Sequence, residues 1–299
     1  SQRSFIYHIF QGALKLIEQE HIDRIKWDAL VANTDDASCF SYSWYLDAVA
    51  ENWCALVDES YTRGVALPYT KRVGIEQLYS PIFGRHIDVI GAITNKELSC
   101  LEDRFKIMEF ACSDHLFGTA EARVHQVIDD FNNRKLGSQA KRSLKKAHQN
   151  HLKIVESANY REVLFVIEKE LKNKFKGITD TSLNALEQLF LGASNAGGIR
   201  VFSVENQSGL GGIVCFEFNN KLLYVKGAVD AESRSNGAMY LALNAAIEFA
   251  KTNNLVFDFG GSNLDGVKNF KVNATPTIII NNKKFEKTLN YKNLKKALE

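Results

Sequence analysis

The fold of this chain is decided by residues 221–274, which read KLLYVKGAVDAESRSNGAMYLALNAAIEFAKTNNLVFDFGGSNLDGVKNFKVNA. Their pattern predicts a strand, an open turn, a long helix over 237–251, a second strand over 255–259 and a glycine-rich bend. The helix carries its polar residues along one stripe and is alanine or apolar elsewhere, so it must be covered on nearly all sides. This order is typical of an α/β sheet, whose sites lie at the carboxyl ends of strands.

The composition is that of an ordinary globular protein. The 299 residues are 45% hydrophobic and 24% charged, with a formal net charge of only +2. This balance gives no reason to expect DNA as a partner. No run approaches the ~18 uninterrupted apolar residues of a membrane span, and the first residues lack the pattern of a secretion signal. We therefore expect a cytoplasmic protein without a transmembrane segment.

The cysteines and histidines indicate neither a disulfide framework nor a metal site. The five cysteines have no CxxC spacing and most lie in apolar runs, as Cys215 does, which favours buried free thiols. His148 and His151 are three residues apart but lack acidic or cysteine neighbours. The sequence therefore predicts no metal ligands.

One pattern occurs twice along the chain, about 150 residues apart. It consists of a helical segment followed by three strand-like runs with a glycine opening the middle run. In the first half these segments are 42–51, 53–58, 64–69 and 75–79. In the second half they are 181–193, 199–204, 212–217 and 221–225. The repeat predicts two related α/β domains, which we place at residues 1–130 and 131–299.

The turn before the long helix is the first candidate site. It contains Arg234, Asn236 and Gly237, where exposed backbone N–H groups could receive an anion or a polar acyl donor. The turn is similar to the Q/R-x-x-G-x-G/A loop that holds a pyrophosphate in acyl-CoA-dependent N-acetyltransferases. Met239, however, stands where the last small residue of that loop belongs. A plain capping turn is the alternative interpretation.

The second candidate site is the end of the strand over 255–259. Asp258 is followed closely by Gly260 and Gly261, which allow another chain or a ligand to approach the backbone. On the functional interpretation, Asp258 accepts an amine or its proton, and the nearby Ser262 and Lys226 contact substrate. On the structural interpretation, Asp258 caps the following turn with its own carboxylate.

A basic segment over 134–151 is the third candidate. Lys141, Arg142 and Lys145 form cationic rows on a predicted helix and could contact the phosphates of a tRNA or of a nucleotide-activated substrate. A solvated helix face is the alternative, and no aromatic residues interleave with these charges. In the first half, Tyr45 lies in an aromatic helix and could line a cleft between the halves.

These segments together resemble the FemABX-like proteins, tandem relatives of the Gcn5-related N-acetyltransferase (GNAT) fold. Three stretches carry the resemblance, which covers roughly residues 20–285. They are FDFGGS with the following GVKNFKVNA, then SQAKRSLKKA, similar to the R-x-x-[IL]-K-K-A stretch that opens the second domain, and IDRIKWDALV…FSYSWYLDAV…ALVD. The resemblance implies an α/β (α+β) fold of two tandem GNAT-like domains, each a mixed, mainly antiparallel sheet flanked by helices, with a cleft between them.

The resemblance also implies an activity. The best-understood members transfer an amino acid from aminoacyl-tRNA to the peptide stem of a cell-wall precursor, and others look like acyl-CoA-dependent N-acyltransferases. It implies acyl-CoA or aminoacyl-tRNA as co-substrate, no tightly bound cofactor, and a small-molecule or cell-envelope precursor amine as acceptor. The donor would enter where the central strands of the second domain splay apart, at residues 225–230.

The roles that this activity would assign fall on the candidates already named. Asp258 would orient or deprotonate the amine, with the donor at Arg234, Asn236 and Gly237. The substrate contacts would come from Lys141, Arg142, Lys145, Tyr45, Lys226 and Ser262. Two features limit the assignment: the chain is too short for the coiled-coil arm of the cell-wall enzymes, and Met239 interrupts the donor loop. The alternative is a non-catalytic binding module with a degenerate GNAT fold.

Overall fold

The computed structural model describes residues 12–112, 120–132, 136–205, 211–261 and 283–289. Within these ranges the chain forms two α/β halves of the same design. Their sheets join edge to edge, and the helices lie on the sheet faces.

The first half is built on an antiparallel meander that continues into a parallel strand. The strands of this half are β1 (Lys15–Glu18), β2 (Asn52–Val57), β3 (Gly64–Arg72), β4 (Ile75–Tyr79), β5 (Val89–Ile90), β6 (Ile107–Cys112) and β7 (Ala120–Ile128). Its helices are α1 (Arg24–Ala32), α2 (Ser43–Val49), α3 (Asn95–Leu98) and α4 (Cys100–Arg104). The meander is β2–β3–β4, and β6 pairs in parallel with β4.

The second half repeats this design. Its strands are β8 (Lys153–Ser157), β9 (Ile199–Glu205), β10 (Gly211–Phe218), β11 (Lys221–Val229), β12 (Val256–Gly261) and β13 (Lys283–Leu289). Its helices are α5 (Ser138–Gln149), α6 (Arg161–Lys174), α7 (Asp180–Asn195), α8 (Ala231–Ser235) and α9 (Ala238–Thr252). The meander is β9–β10–β11, and β12 pairs in parallel with β11 after the α8–α9 crossover. The two predicted meanders and the tandem α/β fold are therefore confirmed.

The two sheets join through strands that cross the predicted boundary. β7 precedes residue 130 yet pairs with β12, and β13 follows it yet pairs with β6 as well as β7. In the described part of the chain this gives a 13-stranded sheet, in which β5 pairs only with β3. The division at residue 130 stays a prediction, because strand pairing connects the two halves across it.

One predicted element is wrong in detail. The open turn after β11 is the short helix α8, which begins at Ala231. Asp230 caps it, accepting hydrogen bonds from the backbone N–H and the hydroxyl of Ser233 at 2.9 Å each. A capping aspartate of this kind stabilises a first helical turn that periodicity alone does not indicate in so short a segment.

The long helix α9 is covered on most of its surface, as its sequence predicts. Its buried residues face β9, β10, β11 and β12, and its other side contacts α5. The residues buried on α9 are largely small or aliphatic: Ala238, Leu241, Ala242, Leu243, Ala246, Ile247 and Ala250. Small side chains let the helix lie close to the sheet, so α9 forms the centre of the core of the second half.

A second core cluster crosses between the halves. It joins aromatic residues near α1 and α2, such as Trp27 and Tyr45, to residues of α7 and β10, such as Phe190 and Phe216. Hydrogen bonds also join the two halves beside this cluster. Asn219, at the β10–β11 turn, donates hydrogen bonds to the Val31 carbonyl at 2.8 Å and to the Thr34 carbonyl at 3.2 Å, and accepts one from the Tyr42 hydroxyl at 3.0 Å. The two halves are thus held by a shared core and by bonds from one turn.

The contribution of that turn can be measured with Asn219→Gly. The backbone at Asn219 has φ +49°, which glycine adopts freely, so the substitution removes the side-chain hydrogen bonds without backbone strain. We expect the free energy of unfolding in urea to fall by about 1–3 kcal/mol, because partly buried polar groups lose their partners. Asn220→Gly is the matched control: its backbone has φ +56° and its side chain is exposed. Equal losses in the two variants would contradict this account.

Candidate functional site

The central strands of the second half separate within the sheet. β11 and β12 pair at Lys221–Val256, Leu222–Phe257 and Leu223–Asp258, and their pairing ends there. Both strands continue, β11 to Val229 and β12 to Gly261. The expected splay is therefore present, and it begins just after Leu223. We call the space between the two diverging strands the β11–β12 opening.

A bulge bends β11 at the same place. In the pairing of β10 with β11, Val214 is opposite Lys226 and Cys215 is opposite Tyr224, so the register steps over Val225. A bulge increases the local twist of a strand and turns it away from its neighbour. The bulge therefore explains why β11 leaves β12 here while it stays paired with β10.

The β11–β12 opening leads into a cavity between the two halves of the molecule. The cavity has a volume of about 320 Å³. The first half contributes Phe40, Tyr45 and the segment Phe83–Arg85, and β11 contributes Leu223, Val225 and Lys226. Aromatic and aliphatic walls with a few charged groups are typical of small-molecule sites.

Arg85 reaches from the first half into the β11–β12 opening. Its Nη2 donates to the carbonyl oxygen of Tyr224 on β11 at 2.7 Å, and its Nη1 lies 3.8 Å from Oδ1 of Asp258 on β12. The guanidinium also packs against Gly260, at which a Cβ would overlap it. Gly260 has φ +66°, so glycine is required there for both conformation and space. Arg85 therefore bridges the two strands where they stop bonding to each other.

The segment that carries Arg85 lies where the parallel strands of the first half, β4 and β6, stop pairing, which is the counterpart of the β11–β12 opening. Ala111 on β6 donates its N–H to Oγ of Ser80 at 2.9 Å and accepts the N–H of Ile87 at 2.8 Å. The chain over residues 80–87 therefore bonds to β6 beyond the end of the β4–β6 pairing, which stops at Tyr79. The opening of the first half is filled by this segment, and that of the second half by the Arg85 side chain.

A buried polar cluster fixes the next residues of the segment. Asp88 lies 3.0 Å from Nε2 of His86 and accepts hydrogen bonds from the Ser38 N–H and the Ser41 hydroxyl, each at 2.8 Å. Burial alone would raise the pKa of Asp88, but the charge of His86 and the hydrogen bonds from His86 and Ser38 lower it to about 2. The cluster thus anchors the base of the Arg85 segment with an ionised carboxylate.

Asp258 is buried at the edge of the opening. Its Oδ1 accepts the N–H of Gly260 at 2.6 Å, as the structural interpretation of the sequence expected. The same oxygen faces Arg85. The structure therefore places Asp258 next to the opening and beside the guanidinium of Arg85. The role of Asp258 in chemistry stays a prediction.

Tyr45 and Lys226 lie in the wall of the cavity. The Tyr45 side chain is 1% exposed and its hydroxyl donates to the Phe83 carbonyl at 3.0 Å. Burial holds the pKa of that hydroxyl well above its ordinary value. Burial, and then the charge of Arg85, lower the pKa of Lys226. Within the described residues Lys226 forms neither an ion pair nor a hydrogen bond through its ammonium group.

The predicted donor turn is closed by its own hydrogen bonds. Arg234 donates to Oε1 of Glu170 at 2.6 Å and to the Val229 carbonyl at 3.2 Å. The N–H groups of Asn236 and Gly237 bond to carbonyls of α8. In addition, the backbone carbonyl of Ser143 on α5 lies where a Cβ of Gly237 would be. These contacts are those of a capping turn, and an anion could reach the amides only if the turn rearranged.

The remaining predicted residues lie away from the cavity. Lys141, Arg142 and Lys145 are exposed on the outer face of α5, whose inner face buries Ala140 and Ala147. They do not line the cavity between the halves. Ser262 lies outside the described residues. The structure therefore brings together Asp258, Lys226 and Tyr45, and separates them from the basic helix and the donor turn.

Arg85 is the site residue that the sequence did not reveal. The signal available was that Pro81 and Gly84 mark a loop directly after β4, at the position equivalent to the residues after β11.

The described ranges contain no group of three or more His, Cys, Asp or Glu side chains placed to hold a metal ion. None of the described helices combines the length and the apolar character needed to cross a membrane.

Solved structures share this fold along nearly the whole chain. FemX superposes with a TM-score of 0.63 over 95% of this chain and 99% of its own, at 10% identity. A conserved protein of unknown function from Bacteroides thetaiotaomicron gives 0.61 over 93% and 99%, at 12% identity. L-PGS from Bacillus licheniformis gives 0.52 over 92% and 94%, at 9% identity. At these identities the likeness establishes the fold alone, which this chain shares with these structures.

Sequence comparison adds little to the structural likeness. A family model described as thioredoxin matches residues 216–299, which is less than half of the chain. That range contains no cysteine, so the dithiol chemistry of a CxxC motif has no residues there. No curated protein matches the chain significantly.

The lowered pKa of Lys226 predicts a pH-dependent cost to stability. Because the unfolded chain binds this proton more tightly than the folded protein, the buried ammonium destabilises the fold below its folded pKa. The cost disappears as the pH rises toward the ordinary lysine value of about 10.4. We expect Lys226→Met to melt at a higher temperature than the unmodified protein at pH 7, with a gain that shrinks toward pH 10. Lys153→Met, which alters an exposed strand lysine, should show no such trend. A pH-independent difference for Lys226→Met would contradict this assignment.

Proposed function

We propose that the protein is an N-acyltransferase of the FemABX type, which transfers an acyl or aminoacyl group from acyl-CoA or aminoacyl-tRNA to an amine. The observation that carries the proposal is the β11–β12 opening, which leads directly into a cavity lined by both halves. The likeness of the fold to FemX over 95% of the chain supports it. In such a reaction, the amine attacks the acyl carbonyl and the donor's thiol or hydroxyl leaves.

The opening suits an extended acyl donor. A strand that has left its neighbour presents backbone N–H and C=O groups along one edge, and an extended ligand can bond to them as a further strand would. β11 presents such an edge from Tyr224 onward. The donor would lie along this edge with its acyl carbonyl at the cavity. To admit it, Arg85 would give up its bond to the Tyr224 carbonyl while its guanidinium stays at the cavity.

The acceptor amine would enter from the cavity beside Asp258. The carboxylate is held in place by the Gly260 N–H and is nearly inaccessible to water, which suits a group that orients an amine or takes its proton. No covalent enzyme intermediate is needed, because positioning the amine against an activated carbonyl supplies much of the rate. A cell-envelope precursor is one class of acceptor for this reaction, and the donor could be tRNA-borne.

A second candidate function is a non-catalytic binding module. Two observations favour it: Arg85 occupies the β11–β12 opening, and the donor turn is closed by its own bonds and by Ser143 of α5. A module of this kind would keep the cavity for a ligand while excluding the donor. The two functions differ in whether any activated donor binds.

Asp258→Asn tests the catalytic proposal. The substitution keeps the size of the side chain and an oxygen for the Gly260 N–H but removes the charge. We expect transfer of a radiolabelled acyl group to fall about 10²–10⁴-fold, the usual contribution of a positioned acid or base. Asp180→Asn, which changes a fully exposed carboxylate, is the control and should keep the original rate.

Two results would count against the proposal. Turnover of Asp258→Asn close to that of the unmodified protein would remove Asp258 from the mechanism. Absence of any shift in melting temperature with acetyl-CoA, longer acyl-CoAs and aminoacyl-tRNA would favour the binding module, because a ligand that binds the folded state raises that temperature.

A further inference from the structure

We propose that the acceptor is an amino acid with an apolar side chain, and that Arg85 and Lys226 hold its carboxylate in the cavity between the halves. The inference rests on the proposed function in taking the cavity ligand as the acceptor. It adds the chemical class of that acceptor and assigns a binding role to Arg85.

The described charges around the cavity favour a ligand with an anionic group. Arg85 and Lys226 both line the cavity, and none of the described residues that line it carries a carboxylate. The nearest described carboxylate to Arg85 is that of Asp258, at 3.8 Å, and Lys226 has none. Among the described groups, one carboxylate against two cations leaves one positive charge at the cavity. A carboxylate on the ligand would lie against the two cations and relieve the repulsion between them.

The donors of Arg85 are arranged to receive a carboxylate. Nη2 is occupied by the Tyr224 carbonyl, whereas Nη1 is buried and has no hydrogen-bond acceptor among the described residues. A buried guanidinium N–H without an acceptor costs free energy unless a ligand supplies one. Carboxylates pair with guanidinium through directional, charge-assisted hydrogen bonds, and the Lys226 ammonium can reach the same ligand as a mobile point charge.

The rest of the lining selects an apolar group on the same molecule. Leu223 and Val225 form one wall, and the rings of Phe40, Tyr45 and Phe83 form the other. The volume of about 320 Å³ is at the lower end of the range for small-molecule sites. An amino acid with an aliphatic or aromatic side chain satisfies both parts of the lining. Its amine would then lie near Asp258, which neighbours Arg85.

The test is binding of L-phenylalanine and L-leucine by isothermal titration calorimetry, with no acyl donor present. L-phenylalaninamide is the matched ligand without the carboxylate, in which an uncharged amide group takes its place. We expect the acids to bind at least tenfold more tightly than the amide. Arg85→Gln and Lys226→Met should each weaken acid binding at least tenfold, and Lys153→Met should not change it. Because the two site variants are independent, misfolding of one, detected by circular dichroism, leaves the other as the test.

Three results would overturn the inference: equal binding of acid and amide, unchanged acid binding in both site variants, or tighter binding of phenyl phosphate than of 3-phenylpropionate. The last would identify the site as one for phosphate. The experiment also separates this inference from the proposed function. Binding of the acid without acyl transfer would support the carboxylate site and contradict the proposed transferase activity. Transfer to an amine that lacks a carboxylate would support the transferase activity and contradict the carboxylate site.

Discussion

The structure depends on how the backbone N–H and C=O groups of two adjacent strands find hydrogen-bond partners after the strands stop pairing with each other. Beyond Leu223 the backbone groups of β11 that faced β12 no longer bond to that strand. A buried backbone carbonyl without a donor costs free energy, so something must replace the missing strand. Arg85 does so, bonding the Tyr224 carbonyl and facing the Asp258 carboxylate. One side chain from the first half thus bonds to the sheet of the second at the point where β11 leaves β12.

The duplicated design explains why the cavity lies where it does. Each half contains a meander followed by a crossover and a parallel strand, and in each the parallel pairing is only three residues long. In the first half the chain itself fills the resulting gap, and Asp88 anchors that filling segment. In the second half the described group that fills the gap is a side chain, that of Arg85. A long side chain can turn aside at lower cost than a bonded backbone segment, so the second opening is the one suited to admit a ligand.

Much of the fold was predictable because it follows from patterns within single segments. The short apolar runs of β9–β11 and the surface of α9, apolar except for one polar stripe, need no information from elsewhere in the chain. A site residue was predictable only where its neighbours in the sequence also mark it, as Gly260 and Gly261 mark Asp258. Arg85 has no such signal: its partners, Tyr224 and Asp258, are more than a hundred residues away. The closed state of the Gly237 turn likewise depends on Ser143, which only tertiary packing brings there.

On the proposed function, Arg85 occupies the path by which an acyl donor enters. Isothermal titration of acyl-CoA into the unmodified protein and into Arg85→Ala tests it most directly, with Arg72→Ala, an exposed arginine, as the control. The account predicts that Arg85→Ala binds the donor more tightly than the unmodified protein, because binding no longer has to break the contacts with Tyr224 and Asp258. Weaker or unchanged binding in a folded Arg85→Ala protein would contradict it.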